Sequence, residues 1–488
     1  MKLHELISLC EPFKVVPKDP ADRHIDRLHQ DSRNVEEGDA FIAIKGTQVD
    51  GHEFIPGAAM KGAAVVIADR LTPGLDDTVQ IVVKDTREVA GYLFQAIAGY
   101  PAQDMTLIGV TGTNGKTTVS TLIYQALVRS GKKATLIGTV DTIIAGEREQ
   151  SRLTTPGPDE LADILSKSKA QGVTHVVMEV SSHALQQRRT HGLKFSVAAF
   201  TNLSHDHLDY HRDAGEYLSA KRYLFDKLDE SAHAVVNADD DASRQMIGYC
   251  QAPIMWPGFN NKEAEIIRSD SAETVINWKG VELKSPLVGR FNASNILMAA
   301  SVLHALGFTP DEIAKLIPEC KGPEGRLEQV GDGQPVILVD YAHTPDALEN
   351  VLQAVKSVKQ PDEQLSVVFG CGGDRDRNKR PKMAGIAENY ADRIYLTSDN
   401  PRTEDPQQII DDIRRGFSKA AEFKEEPDRR SAIAMAIKEA PDNGIVVIAG
   451  KGHETYQEVE GVRHHLDDRE EARNALAERP ALKGKEAG

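Results

Sequence analysis

Cysteine is scarce and scattered. The 488-residue sequence holds four, Cys10, Cys250, Cys320 and Cys371, with no CxxC spacing among them. That pattern excludes a disulfide frame and a cysteine zinc site, and reads as reduced thiols. Cys371 sits in a Gly-rich loop where a nucleophile could stand, but nothing near it in sequence looks like its base. Long apolar runs are missing too, and none approaches the ~18 residues of a membrane span. The first residues, Met1-Lys2-Leu3-His4-Glu5-Leu6, lack the uninterrupted apolar core of a signal peptide, so a cytoplasmic protein is expected. Positive charge is in the minority: 58 Lys and Arg against 74 Asp and Glu leave a net charge of −16. Non-specific nucleic-acid binding needs a basic face and is excluded, whereas a local basic pocket for an anionic ligand is not. No solenoid-period repeat and no low-complexity tract is present.

What is present is a phosphate cradle. The segment TGTNGKTT (111–118) lies between an apolar run at 105–110 and a helix-like run at 119–128. Glycines let main-chain N–H groups turn toward an anion, and the helix N-terminus adds a favourable dipole. Lys116 supplies a point charge for β- and γ-phosphates, and the Thr117 hydroxyl can hold Mg²⁺. A standard loop of this kind has its first glycine five residues before the second. That place is Val110 here, with Gly109 and Gly112 on either side, so the loop is a shorter variant. A Gly-rich strand-to-helix turn can also serve packing alone. Gly115-Lys116-Thr117 in place favours a nucleoside triphosphate.

The composition, 40% hydrophobic and 27% charged, is ordinary for folded domains, and the length argues for about three. Short strands at 40–44 and 63–68 and a helix at 89–98 come first. Tyr100-Pro101 marks a boundary. The phosphate-loop strand, then runs at 134–138, 173–180 and 196–201, alternate with helical stretches and predict a mainly parallel α/β sheet. Gly, Glu and Asp accumulate at 325–333, a second boundary. Beyond it, strands at 336–340, 365–369, 394–398 and 445–449 each end in a polar, Gly-rich loop. Ligands of open α/β sheets bind at the carboxyl ends of strands, so this last region is expected to be doubly wound with its own site. The expected domains are 1–102, 103–330 and 331–488.

Glu179 ends the 173–180 run, where a strand neighbouring a phosphate loop commonly offers a Mg²⁺ ligand; a solvated strand-end carboxylate is the bland alternative. The block at 202–211 packs His205, Asp206, His207, Asp209 and His211 into seven residues. It lacks HExxH zinc spacing, and one histidine joining carboxylates on Mg²⁺ fits an ATP enzyme better; a solvated polar loop stays open. The segment 216–225 reads as an amphipathic helix, in which Lys221 by itself is a surface lysine.

These segments resemble the Mur ligases, ATP-dependent amide-forming enzymes of peptidoglycan precursor synthesis. The resemblance rests on TGTNGKT, MEVSSHAL, NLSHDHLDYH and YLSAKRYLF. It continues in order through LVGRFNASNILMAA (287–300), GPEGRLEQV (322–330), VDYAHTPDALE (339–349), FGCGGDRDRNKRP (369–381), SDNPRTEDP (398–406) and AGKGHETYQ (449–457). With DSR (31–33) and GTQVDGHEFI (46–55) it spans essentially the whole chain. It implies a UDP-substrate domain, a central ATPase domain and a C-terminal Rossmann-like domain. It implies that Lys221 is carbamylated by CO₂ and joins Thr117, Glu179 and His207 around Mg²⁺. Lys116, Glu179, His207 and Lys221 would then be the catalytic set. Gly112, Thr113, Asn114, Gly115, Lys116, Thr117 and Thr118 would bind the ATP phosphates, Asn295 and Arg326 the base and ribose, and Asp340 would approach the ribose or phosphates with His343 close by. The matches for UDP-MurNAc-L-Ala-D-Glu are Ser32, Arg33, Thr47, Gln48, Val49, Thr154, Thr155, Ser181, Gln187 and Arg189.

Within the family, DNPR (399–402) discriminates the amino acid added. Diaminopimelate differs from lysine by a distal carboxylate, and Arg402 offers a planar fork for it. Asp399, Asn400, Pro401, Arg375, Gly450 and Glu454 complete the expected pocket. Lysine there would strand Arg402 without an anionic partner, so meso-diaminopimelate is the implied substrate. Asn-Pro is also a turn signal, and Arg402 as a helix cap is the alternative. A lysine-adding relative, a folylpolyglutamate-type ligase and a nucleotide-dependent binding module are the competing functions. The partners expected are small molecules, and the enzyme a monomer.

Overall fold

A computed structural model describes residues 1–46, 49–203, 213–270, 273–331, 333–419 and 421–479. By internal packing the chain divides into two units: Met1–Asn261 with Met298–Thr309, and Lys262–Leu297 with Pro310–Gly488. No described helix is long and apolar enough to cross a membrane.

The first unit contains two sheets. One has five strands in the order Lys14–Val16, Val79–Val82, Val65–Ala68, Ala40–Ile42, Leu28–His29, with only the first pair antiparallel. Its runs Val65–Ala68 and Val79–Val82 are buried throughout, because both faces of a parallel sheet are covered. The other has eight strands in the order Ile254–Met255, His233–Val236, Val197–Phe200, Thr106–Thr111, His175–Glu179, Ala134–Ile137, Asp141–Ile144, Glu147–Gln150. The pairings through Ala134–Ile137 are parallel, and the last two strands return antiparallel. Thr106–Thr111 lies between Val197–Phe200 and His175–Glu179, in a register that sets Glu179 opposite Val110 and Phe200 opposite Thr111. The residues leaving those three strand ends therefore meet. The 173–180 run is a strand from His175 to Glu179; ahead of it the Val173 and Thr174 N–H groups go to the Ser168 and Lys133 carbonyls.

The second unit begins with an antiparallel meander, Ala264–Ser269, Thr274–Trp278 and Val281–Ser285. A six-stranded sheet follows in the order Glu328–Val330, Val336–Asp340, Ile445–Ala449, Leu365–Phe369, Arg393–Leu396, Lys424–Glu425, antiparallel only at the first pair. Separate apolar clusters cover its faces, one around Leu338, Val367 and Val447, the other around Ile337, Val368 and Ile448. Alternate residues of the same strands serve opposite faces, as period two requires. This is the doubly wound arrangement the alternation predicts. Beneath the strand ends, fully buried Arg429 pairs with Asp468 at 2.6 Å and also donates to the Ser398 and Ala449 carbonyls. One guanidinium thus ties two strand-end loops together. A hairpin, Tyr456–Val459 with Val462–His465, follows the last central strand.

Candidate active site

In the first unit the phosphate loop is built from main chain. Gly112 has φ +151°, and a Cβ there would stand 1.9 Å from Thr201 Oγ1, so only glycine fits against the neighbouring strand end. Thr113 N–H donates to the Asn202 carbonyl (2.8 Å) and Asn114 N–H to Asn202 Oδ1 (2.9 Å). Gly115, at φ +83°, starts the helix Lys116–Arg129, which contains Thr117 and Thr118. The Lys116 ammonium curls over its own loop, donating to the carbonyls of Gly112 (3.0 Å) and Thr113 (2.8 Å).

Glu179 is 1% exposed. Its Oε2 accepts from Thr117 Oγ1 (2.9 Å) and Thr139 Oγ1 (3.0 Å), and its Oε1 from Thr139 N–H (2.7 Å). The solvated-carboxylate alternative is gone, and Glu179 and Thr117 stand side by side as oxygen donors. Lys221, on the helix Ala214–Asp226, is 1% exposed and donates to the Gly112 carbonyl at 2.7 Å. The surface lysine that its spacing alone predicts is thus a buried one, because the register brings its helix against the loop. Tyr217, one turn earlier, bonds Thr113 Oγ1 at 3.0 Å. His207 and the rest of its cluster, His205, Asp206, Asp209 and His211, lie outside the described residues, as do Thr47 and Gln48. Among the described residues no three His, Cys, Asp or Glu gather as a metal site.

Five residues expected for the UDP substrate gather next to Glu179. Thr155 Oγ1 donates to the Glu179 carbonyl (2.8 Å) and accepts from Ser181 N–H (3.0 Å). The Thr154 hydroxyl lies 3.1 Å from Thr139 Oγ1, which can accept its proton while donating its own to Glu179. Arg189 donates to the Thr155 carbonyl (2.7 Å) and to Gln187 Oε1 (2.8 Å). In the five-stranded region, Ser32 and Arg33 form a short turn after Asp31, and Val49 is exposed. The Asp31 carboxylate grips Arg33 at 2.7 Å, which holds the Asp31 carboxyl down at about 2. The Arg33 side chain remains 86% exposed.

In the second unit, Arg326 stacks over Tyr341, 5.1 Å from the ring centroid. Asp340 is buried and accepts main-chain N–H groups of Leu327 (2.7 Å) and Ala342 (2.8 Å), one on each oxygen. Burial raises its carboxyl nonetheless. His343 bonds the Tyr341 carbonyl through Nδ1 (2.9 Å), and burial lowers its imidazole pKa. Asn295, on the helix Arg290–Ala305, donates through Nδ2 to Asn292 Oδ1 at 3.1 Å.

The strand-end loops at 370–377, 397–402 and 449–454 form the last group. Asn400 Nδ2 donates to Glu454 Oε2 (3.0 Å). Lys451, not singled out from the sequence, is buried and donates to Asn400 Oδ1 (3.0 Å). Gly450, at φ +126°, lets Asp399 Oδ2 come within 2.6 Å of where a Cβ would be. Arg402 caps no helix; it sits at φ +54° with its N–H on the Glu458 carbonyl (3.0 Å) and its carbonyl accepting from Glu460 N–H (2.7 Å). The hairpin thus offsets a backbone cost of about 1–3 kcal/mol for a non-glycine in that region. Arg402 Nη1 donates to the Gly373 carbonyl (2.8 Å), and Nε lies 3.6 Å from Glu458 Oε2. The expectation that lysine would leave Arg402 with no anionic partner is therefore corrected: Glu458 already stands there. Pro401 is buried, while Arg375 is exposed. Cys371 is buried against Met383 Sδ, and burial pushes its thiol up to about 12, so it is no nucleophile.

Models of the Mur ligase family match three consecutive stretches: the catalytic domain at 24–96, the middle domain at 110–303 and the glutamate ligase domain at 325–452. A Pseudomonas putida protein named UDP-N-acetylmuramoyl-L-alanyl-D-glutamate--2,6-diaminopimelate ligase is 43% identical, over 96% of this chain and 98% of its own. A Bacillus cereus protein of the same name is 41% identical, over 98% and 99%. A solved structure of an enzyme of that name superposes with a TM-score of 0.71 at 35% identity, over 93% of this chain and 95% of the other. Likeness of that depth, carried from the first sheet to the last strand-end loop, means that the chain belongs to the Mur ligase family.

Proposed function

We propose that the chain is an ATP-dependent ligase joining meso-diaminopimelate to the D-glutamate γ-carboxylate of UDP-MurNAc-L-Ala-D-Glu. One observation carries this reading: Arg402 stands in the same group of loops as Asn400 and Glu454, a guanidinium fork for a carboxylate beside an acceptor for an ammonium. Diaminopimelate ends in both groups. In this reading residues 1–102 take the UDP-sugar peptide, 103–330 take ATP and 331–488 take the amino acid, in a monomeric cytoplasmic enzyme of peptidoglycan precursor synthesis.

The substrate carboxylate attacks the γ-phosphorus of ATP, giving an acyl phosphate and ADP. The amine then attacks the acyl carbon and phosphate leaves. The first step brings two anions together, so preorganised donors and cations must face them. The main-chain N–H groups at the start of the helix Lys116–Arg129 and the Lys116 ammonium do so on the phosphate side. Thr117 and Glu179, hard oxygen donors 2.9 Å apart, suit Mg²⁺, which when bound supplies positive charge against phosphate oxygens. His207 and a carbamate on Lys221 would complete that ligand set. Carbamylation would begin with loss of one proton from the ammonium; the neutral amine would then join CO₂ and release a second, so that a cation becomes an anion, and the remaining N–H would still serve the Gly112 carbonyl. A ¹³C spectrum of enzyme equilibrated with ¹³C-bicarbonate tests this, with Lys221→Ala as control. A carbamate signal absent from the unmutated enzyme sinks it.

Asn295, Arg326 and His343 face base and ribose, and Asp340 acts through its hold on the Leu327 turn beside Arg326. Ser32, Arg33, Thr47, Gln48, Val49, Thr154, Thr155, Ser181, Gln187 and Arg189 hold the UDP substrate, whose pyrophosphate suits arginines and hydroxyls. Addition of L-lysine is the second reading, favoured by Glu458, which gives Arg402 a counter-ion when no distal carboxylate arrives. Phosphate release with ATP, Mg²⁺ and UDP-MurNAc-L-Ala-D-Glu separates the two. Stimulation by meso-diaminopimelate alone is expected. Stimulation by lysine instead moves the specificity, and none by either removes the ligase reading.

A further inference from the structure

Lys451 has no exposed surface. A buried ammonium is costly unless paired and hydrogen-bonded, so its partners describe its role. Its Nζ lies 3.0 Å from Asn400 Oδ1, 3.3 Å from Glu454 Oε2 and 4.0 Å from Asp399 Oδ1. The Tyr456 ring closes the other side, 5.4 Å away at its centroid. Asn400 Oδ1 also accepts Glu458 N–H at 2.9 Å. Two donors on that oxygen leave the amide only one orientation, with Nδ2 toward Glu454 Oε2 at 3.0 Å. Glu454 Oε2 is thereby held by Asn400 and Lys451 together, which turns Oε1 into the carboxylate's remaining acceptor. The ammonium also offsets one of the two carboxylates, Asp399 and Glu454. An incoming ammonium then meets a net single negative charge in a set geometry.

We propose that Lys451 is a positioning residue for the amino-acid substrate: through Asn400 and Glu454 it orients the groups that receive the substrate's ammonium, and it does not itself touch the substrate. This rests on the reading that the pocket takes the amino acid. The distances involve only residues of the strand-end loops and the adjoining hairpin, so the phosphate loop is not part of the arrangement. A lysine serving stability alone would lower the apparent kcat through the folded fraction and leave every KM unchanged. A positioning lysine affects the amino-acid KM and leaves the others.

The test is steady-state phosphate release by the full-length protein with meso-diaminopimelate varied, for wild type, K451M, E454Q and the double variant, with thermal midpoints measured alongside. K451M is expected to raise the diaminopimelate KM tenfold or more, with kcat and the ATP KM within about threefold. The double variant is expected within about twofold of E454Q, because residues acting through one another are not additive. If K451M does not fold, K451Q, which keeps a donor for Asn400 but no charge for Glu454, is expected to raise the same KM at least threefold. An unchanged KM, a fall in kcat and thermal midpoint at constant KM, or a double variant far worse than E454Q overturns the proposal. If wild type responds to diaminopimelate and the Lys451 variants keep its KM, this inference alone falls. If wild type responds to no amino acid, the ligase reading falls and takes this inference with it.

Discussion

The phosphate loop and the strand-end pocket both hold charge, by opposite means. The loop is main chain: Gly112 pressed against Thr201, N–H groups at a helix start, and one lysine curled over them. The pocket is side chains already matched to one another: Lys451 with Glu454, Arg402 with Glu458, Arg429 with Asp468. Main-chain donors read charge and shape, which every triphosphate shares. Paired side chains read the identity of one ligand end, because each pair accepts a new partner only of the right sign and reach. The loop therefore fails all at once when damaged, and the pocket is adjustable.

The largest effect should come from Glu179→Gln. The amide loses the charge and sets an N–H₂ among three donors, so kcat should fall on the order of 10²–10³-fold. Diaminopimelate binding by calorimetry should be unchanged; its loss would break the division between loop and pocket. Arg402→Ala comes next. Losing a charge-assisted pair costs about 2–3 kcal/mol, so the diaminopimelate KM should rise roughly 30- to 150-fold with the ATP KM constant. An unchanged diaminopimelate KM would show the pocket assigned wrongly.

Glu458→Gln tests the adjustable side. Removing the resident counter-ion should lower the diaminopimelate KM by a few-fold, on the ~1 kcal/mol scale of a partly exposed pair. A raised KM would show that Glu458 holds Arg402 in place instead of competing for it. The smallest effect concerns acid. Glu404 accepts fully buried Arg380 at 2.9 Å and Asp374 N–H at 2.7 Å, bracing the two loops that carry Arg375 and Arg402. Arg380 lowers its carboxyl from 4.5 to about 2. Since the folded value is depressed, that stability is present above pH 4.5 and drains away as pH falls toward 2. Protection against amide exchange in 372–377 and 401–405, taken relative to the intrinsic rate at each pH, should fall across that window, and Glu404→Gln should remove that pH dependence of protection.

Legibility in the sequence also divides along the comparison. The phosphate loop could be read because its chemistry is local: glycines, a lysine and a hydroxyl within eight residues, preceded by a strand and followed by a helix. Glu179 could be placed because a carboxylate ending a buried strand has few other uses. Thr139, Tyr217 and Asn202 could not, since nothing local marks a threonine or tyrosine as a neighbour of residues about 40 to 100 positions away. In the pocket, Asn400, Arg402 and Glu454 were legible as a charge pattern. Lys451 was not, because a lysine between two glycines reads as solvated until its burial is known. Glu458 was missed for the same reason, and that omission produced the mistaken isolation of Arg402.

The sequence by itself determined which segments become strands, where the Gly-Lys-Thr turn from strand to helix lies and which family the residues belong to, because periodicity, glycine placement and short motifs act within one turn or one strand. The tertiary structure decided which charges are already spoken for. Lys221 became a buried partner of Gly112, Asp340 spent both oxygens on main-chain donors, and Arg402 acquired Glu458. A charge's partner depends on distance through space, and only the packed sheets bring residues that far apart in the chain to within 3 or 4 Å.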